Sequence, residues 1–326
     1  ADGNNQLIRK IDLTTSNITT IAGKLENYAD GIGENGEFRY PGKIVRIGTD
    51  LYVVDDDRFR KVDPATGAVV TIQTSGESYN YIESLTSDGT DIYFTSYVSG
   101  GNSSGYKLFK LSLADGVVSE LDLVDDTGNT YSIGNSIIGL ASDGTNLFVA
   151  VSTSPKAFLR ISLQTGMVTP YTTGGVTLPW FNVMEKIGDS LFAVSSSSIY
   201  EIELSGTSAT ASTVTLSGLD TSSDVYFDQM TAFGEVLYLS SFSGNNEIYQ
   251  VNLAVGQDGV RTGIATQIDP TTTAASYYNT GTEVSLRYLG GLTTDGTALF
   301  IADGNNQLIR KIDLTTSNIT TIAGKL

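Results

Sequence analysis

One short phrase recurs six times along this chain and leaves few folds open. A glycine-bearing turn leads into a run of alternating apolar and aromatic residues: GTDLYVVDD from Gly48, DGTDIYFTS from Asp88, DGTNLFVAV from Asp143, GDSLFAVSS from Gly188, GEVLYLSSF from Gly234 and DGTALFIAD from Asp295. The same neighbours surround it each time. A short apolar strand precedes it (IESLTSDG from Ile82, IIGLASDG from Ile137, LGGLTTDG from Leu289). A second alternating stretch follows it, such as RFRKVDP from Arg58 or YKLFKLSL from Tyr106, and a weaker one closes the unit, such as GAVVTIQT from Gly67 or GVVSELDL from Gly116. Each unit therefore reads as four strands of period 2 joined by turns.

The aromatic anchors of the six units are Tyr52, Tyr93, Phe148, Phe192, Tyr238 and Phe300. Four-stranded units returning every roughly 40 to 60 residues, with no stretch of helical period, have the pattern of β-propeller blades, which bury both faces against their neighbours. A sandwich of similar strand content lacks this four-beat phrasing. The expected fold is all-β, a six-bladed β-propeller of four-stranded antiparallel blades, and 326 residues with 35 Gly and 6 Pro suit one such ring.

Two units carry more than the strand beat. LFIADGNNQLIRKIDLTTSNITTIAG at 299–324 and GIGENGEFRYPGKIVRIGTDLYVVDDDRFRKVDPATGAVVTI at 31–72 resemble NHL repeats, in which a glycine-rich linker leads to a strand, an AD.GN..IRKID turn and strand, and a TG.VTT.AG close. The other four units keep only the beat and the turn residues; GYKLFKLSLADG and SSSSIYEIELSG lie further from the pattern. The resemblance implies the same ring. The resembled family includes RNA-binding propellers with a basic face, but here Arg9, Lys10, Arg58, Arg60 and Lys61 sit in two units among many acids. They read as solvated strand-face charges and inter-blade ion pairs.

The two ends of the chain are identical. ADGNNQLIRKIDLTTSNITTIAGKL is both residues 1–25 and residues 302–326. It spells the third and fourth strands of the sixth blade, and a six-bladed ring has one place for that pair. The chain divides into residues 1–25, a duplicate strand pair, and residues 26–326, the propeller. The surplus copy presents unpaired strand edges that invite pairing elsewhere. Three origins are open: strand donation between rings, giving a head-to-tail contact that does not close; a tandem array of near-identical propellers; or an artificial overlap. Leu7, Ile8, Ile11, Leu13, Ile18 and Ile21, with their duplicates Leu308, Ile309, Ile312, Leu314, Ile319 and Ile322, are the expected pairing residues.

Composition narrows the chemistry. Nineteen basic against 36 acidic residues leave a net charge of -17, which repels phosphate backbones and anionic lipid. No Cys and no His are present, so disulfides, thiolate sites, imidazole-ligated metals and Ser-His-Asp catalysis are excluded. No apolar run reaches the roughly 18 residues that span a bilayer, and the start at Ala1 reads as part of a longer chain. Asp55, Asp56 and Asp57 are the candidate Ca²⁺ ligands, opposed by the alternation of side chains along a strand; turn acids are the plainer reading. DGIGENGE, from Asp30 to Glu37, lacks the alternating ligands and closing Glu of an EF-hand loop, and the resemblance to NHL repeats implies that it is an inter-blade connector. Tyr79, Tyr81, Tyr277 and Tyr278 fall in loops, where rings could meet glycans or another propeller, and Asn17, Asn102 and Asn318 begin N-x-S/T sequons.

The function expected from these features is a non-catalytic structural subunit of an extracellular or cell-surface filament or array. Its partners would be copies of itself, joined head to tail, with no nucleic acid and no membrane insertion; no cofactor is expected apart from the Ca²⁺ weighed above. The alternatives are a glycan- or calcium-binding propeller module and, third, a carboxylate- or metal-dependent hydrolase.

Overall fold

The computed structural model describes residues 8–11, 18–22, 28–98, 105–133, 137–151, 157–173, 179, 181, 183–219, 225–241, 247–256, 260–268, 286 and 288–324. Six sheets form blades, and each runs as an antiparallel meander from inner to outer strand. Blade one comprises Pro41–Ile47, Asp50–Asp55, Arg58–Val62 and Ala68–Thr71; blade six comprises Leu289–Thr294, Ala298–Asp303, Leu308–Asp313 and Ile319–Gly324. Blades two to five begin with the inner strands Ile82–Ser87, Ile137–Ser142, Val183–Ile187 and Phe227–Phe233. Every inner strand packs against those of the two adjacent blades, and that of blade six packs against that of blade one. The ring is closed, a six-bladed propeller.

Alternation explains the core. Successive side chains of a strand point to opposite sheet faces, so Leu51 and Val53 join a cluster shared with blade six, while Tyr52 and Val54 join one shared with blade two. Six such clusters exist, one between each pair of neighbouring blades. All six anchor aromatics are buried within them. A second strand buried on both faces gains hydrophobic stabilisation twice, which is why its apolar run is nearly continuous.

Local turn chemistry fixes the register. In blades two, three and six the first hairpin is DGT: Asp88, Asp143 and Asp295 each accept two backbone N–H bonds and a Thr hydroxyl on Oδ1 at 2.7–2.8 Å. The turn between third and fourth strands places Gly67 at φ 73°, where L residues are disfavoured, and a Cβ there would stand 2.5 Å from the Ile322 carbonyl of blade six. Close approach is also required at the seam, where a Cβ on Gly290 would lie 2.6 Å from Gly42 Cα.

The connectors add a fifth strand at the rim of some blades. Ser75–Gly76 pairs parallel with the outer strand Val117–Glu120 of blade two, and Thr215–Ser217 with Arg261–Ile268 of blade five. In blade one, Gly31–Ile32 of the DGIGENGE stretch pairs antiparallel with Ala68–Thr71. These segments cover edges that would otherwise carry unpaired backbone groups. The Ser/Thr-rich stretch 203–218 is mostly strand, including Ser208–Thr213.

The duplicated ends differ in what they join. Leu308–Asp313 and Ile319–Gly324 complete blade six, continuing from Ala298–Asp303. Ile8–Ile11 and Ile18–Ala22 pair with each other as a separate two-stranded sheet.

Candidate functional site

The three adjacent aspartates of blade one occupy three different environments. Asp55, at the end of the second strand, is fully buried; its Oδ1 accepts the backbone N–H groups of Arg39 and Tyr40 at 2.9 and 2.8 Å, and its Oδ2 accepts Arg60 Nη1 at 2.9 Å. Burial pushes its carboxyl above the usual range, opposed by the Tyr40 amide and Arg60. Asp56 turns away at φ 58° and accepts Arg39 Nη1 and the Tyr28 hydroxyl at 2.7 and 2.9 Å. Asp57 stands exposed, 3.7 Å from Arg58 Nε. Among the described residues no three acids gather as a cation site.

Arg60 departs from the solvated charge expected of it. It is fully buried and donates to the carbonyls of Glu37 and Ala29 at 3.0 and 2.9 Å as well as to Asp30 Oδ1 at 3.2 Å. Asp30 also accepts Thr71 N and Oγ1 at 2.8 and 2.7 Å. The first acid of DGIGENGE therefore pins the connector to the outer strand. Blade six repeats the pair with Asp303 and Arg310, 3.7 Å apart, and Asn306 donates to both Asp303 oxygens at 3.1 and 2.9 Å.

The seat for the last hairpin is an apolar slot between blades five and one. Ile309 and Ala323 face blade one; Ile312 and Ile319 face blade five with Leu314 half-buried beside them; Leu308 is buried and Ile322 packs against the blade-one cluster. A 3-10 turn at Gly33–Asn35 lies against the outer strand Ile319–Gly324. Of the N-terminal copies, Ile8, Ile11, Ile18 and Ile21 fall on the separate hairpin strands. Leu7 and Leu13, like Tyr277, Tyr278, Asn17 and Asn102, lie outside the described residues.

A second feature sits at the ring axis. Where the inner strands begin, a cavity of about 580 Å³ opens between Tyr40, Tyr81, Tyr106, Phe181 and Tyr288, over Lys43, Glu83, Asp228 and Gln229. It shares Lys43, Glu83, Ser84 and Gln229 with a smaller space of about 330 Å³ between the inner strands, lined also by Arg46, Glu185 and Thr293. Lys43 Nζ donates to Gln229 Oε1 at 3.2 Å, and Tyr106 donates its hydroxyl to Glu83 Oε1 at 2.9 Å. Burial lowers the Lys43 pKa, against the pull of Asp228 and Glu83, and raises that of Glu185 to about 7. Tyr40 is pushed up to about 12 by burial and by Tyr288, whose ring centroid is 5.6 Å away.

Sequence reasoning singled out Tyr81 but missed Tyr40, Tyr106 and Tyr288. The available signal was periodic: Tyr40, Tyr81, Tyr226 and Tyr288 each immediately precede an inner strand, and Phe181 stands two residues ahead of one. Tyr79, also expected at the surface, packs instead against Phe59 and Phe94 with centroids 5.8 and 5.2 Å away.

No protein-family model matches the chain. No curated protein matches it in sequence. Solved structures do share its fold. A Bacteroides thetaiotaomicron protein of unknown function aligns with a TM-score of 0.59 at 16% identity, over 91% of this chain and 79% of that one. The tricorn protease aligns at 0.56 with 14% identity, over 88% of this chain and 26% of its own length. PorZ, a surface component of the type-IX secretion system of Porphyromonas gingivalis, aligns at 0.50 with 11% identity, over 91% of this chain and 39% of its own. At these identities the likeness is one of fold.

Proposed function

We propose that the chain is a non-catalytic structural subunit of an extracellular or cell-surface array, its rings joined head to tail through the blade-six hairpin. One observation carries the reading: a ring with one seat for that hairpin is already closed by residues 308–324, while an identical copy forms a two-stranded sheet of its own. A seat that accepts one copy accepts the other in the same register, whichever chain supplies it.

The count of seats shapes the assembly. Each ring has one seat and each chain two hairpins, so an N-terminal hairpin that enters a neighbouring ring frees that neighbour's C-terminal one. Growth proceeds by displacement. A copy tethered beside its own seat has a high effective concentration, so exchange competes only when the protein is concentrated.

An NHL kinship belongs to this reading, supported by the Asp–Arg pairs of blades one and six, whose residues stand in the two segments that resemble the family. A surface location is supported by the acidic, Lys-poor, Ser/Thr-rich composition and by the fold-level likeness to PorZ.

Light scattering and electron microscopy of the full chain and of a chain lacking residues 1–25 test the proposal. The full chain is expected to form strings of rings whose length rises with concentration, and the shortened chain to remain a folded monomer. Equal assembly by both would remove the N-terminal hairpin from the explanation.

A further inference from the structure

We propose that the tyrosine-rimmed mouth of the ring axis binds the end of an uncharged oligosaccharide. Four kinds of observation converge there, and none depends on how rings join to one another.

The first is shape. A cavity of about 580 Å³ that shares Lys43, Glu83, Ser84 and Gln229 with a further space of about 330 Å³ has room for the tip of a chain-like ligand. Sites for small ligands commonly have this size.

The second is the wall. Tyr81 is 71% exposed and Tyr40 41%, although nothing in the blade pattern requires a ring at the rim. Tyrosine offers an apolar face and a hydroxyl with only two side-chain torsions to immobilise, which suits the C–H face and hydroxyl edge of a pyranose. The tyrosines stand together on the neighbouring blades six, one and two, with the buried Phe181 ahead of blade four as the remaining ring of the lining.

The third is the floor. The Lys43 ammonium has three donors and, among the described residues, uses one, on Gln229; Glu83 accepts a hydrogen bond from Tyr106; Asp228 accepts one from Gln229 Nε2 at 3.2 Å. Lys43 makes no ion pair among the described residues. Donors and acceptors thus alternate over a few ångströms, matching vicinal hydroxyls, which are both at once.

The fourth is charge. An acidic glycan must approach a chain of net charge -17 and, at the mouth itself, the carboxylates of Asp56, Glu83 and Asp228. An uncharged polyol meets no such penalty.

Isothermal titration calorimetry with cellohexaose, laminarihexaose, xylohexaose and mannohexaose, set beside polygalacturonate and spermidine, tests the site. At least one neutral hexasaccharide is expected to bind saturably. Tyr81→Ala, an exposed position whose loss leaves the fold intact, should weaken binding about tenfold, and Lys43→Met should weaken it further, with circular dichroism reporting that each variant is folded. The chain lacking residues 1–25 should bind as the full chain does. Absence of saturable binding by every neutral sugar, indifference to Tyr81→Ala, or preference for polygalacturonate or spermidine would each overturn the assignment. Loss of assembly without loss of sugar binding would count against the array alone.

Discussion

Blades one and six solve the same packing problem differently from blades two to five. At the end of the second strand, blades one and six carry Asp55 and Asp303; the matching positions elsewhere are Ser96, Val151, Ser195 and Ser241. On the adjoining third strand they carry Arg60 and Arg310, where the others have Phe109, Leu159, Tyr200 and Tyr249. One pair of blades thus holds an ion pair in a space that its relatives fill with a large apolar or aromatic side chain. Burying charge costs desolvation that attraction repays only with good geometry, so the apolar version is at least as good for stability. What the ionic version adds is reach: Arg60 spans from Asp55 to the carbonyls of Ala29 and Glu37 and so fastens the connector beside the closing seam. The cost is visible in Arg60 Nε and Arg310 Nε, both buried without a hydrogen-bond partner.

The most forceful way to break this comparison is to remove one member of the pair. Arg60→Leu strands a buried carboxylate and is expected to lower the unfolding free energy by about 3–5 kcal/mol in urea titrations. The double substitution Asp55→Ser with Arg60→Phe copies blade two and should recover at least half of that loss. If the double variant were as unstable as the single one, the two kinds of blade would not be interchangeable solutions.

A charge without a partner among the described residues sharpens the contrast. Glu185 lines the channel in blade four, and burial alone raises its pKa from an ordinary 4.5 to about 7. Between those values the folded chain keeps a proton that the unfolded chain has lost, so stability falls as pH rises from about 4.5 to about 7. Glu185→Gln should therefore add about 1–3 kcal/mol at pH 8 and nothing at pH 4, read from melting curves at both. A benefit that persisted at pH 4 would mean the effect is not titration.

The smallest effect concerns the turn before the last strand. Blade one has Gly67 at φ 73°; blade six has Ser317 at φ 57°, and each N–H returns to the Asp four residues earlier at 2.8 Å. Ser317→Gly is expected to stabilise blade six by about 0.5–1 kcal/mol, seen as a slightly higher melting temperature. No change would show that the serine's own contacts offset the strain.

The ring was legible in the sequence because its cause is periodic. Tyr52 and its five counterparts are buried for one reason repeated in every blade, so the beat and the anchors could be read off the letters, while the connector role of DGIGENGE came from the resemblance to NHL repeats. Arg60 was misread because charge patterning predicts solvent for a basic strand residue, and only the folded chain brings Asp55, Asp30 and two connector carbonyls around it. The axial mouth escaped for a different reason. Its residues come from all six blades, far apart in the chain, and their shared position at the starts of the inner strands means nothing until the strands stand in a circle.

The repeated ending also has a topological side. Residues 1–301 and residues 26–326 spell two circular permutants of one ring, overlapping within a single polypeptide. An ordinary propeller spells its terminal strands once, whereas this chain spells them twice, with the first copy joined to blade one through residues 26–40. Under the proposed exchange, a cut that removed either copy would leave a segment that still spells all six blades, with the breakpoint moved but no gap in the circle.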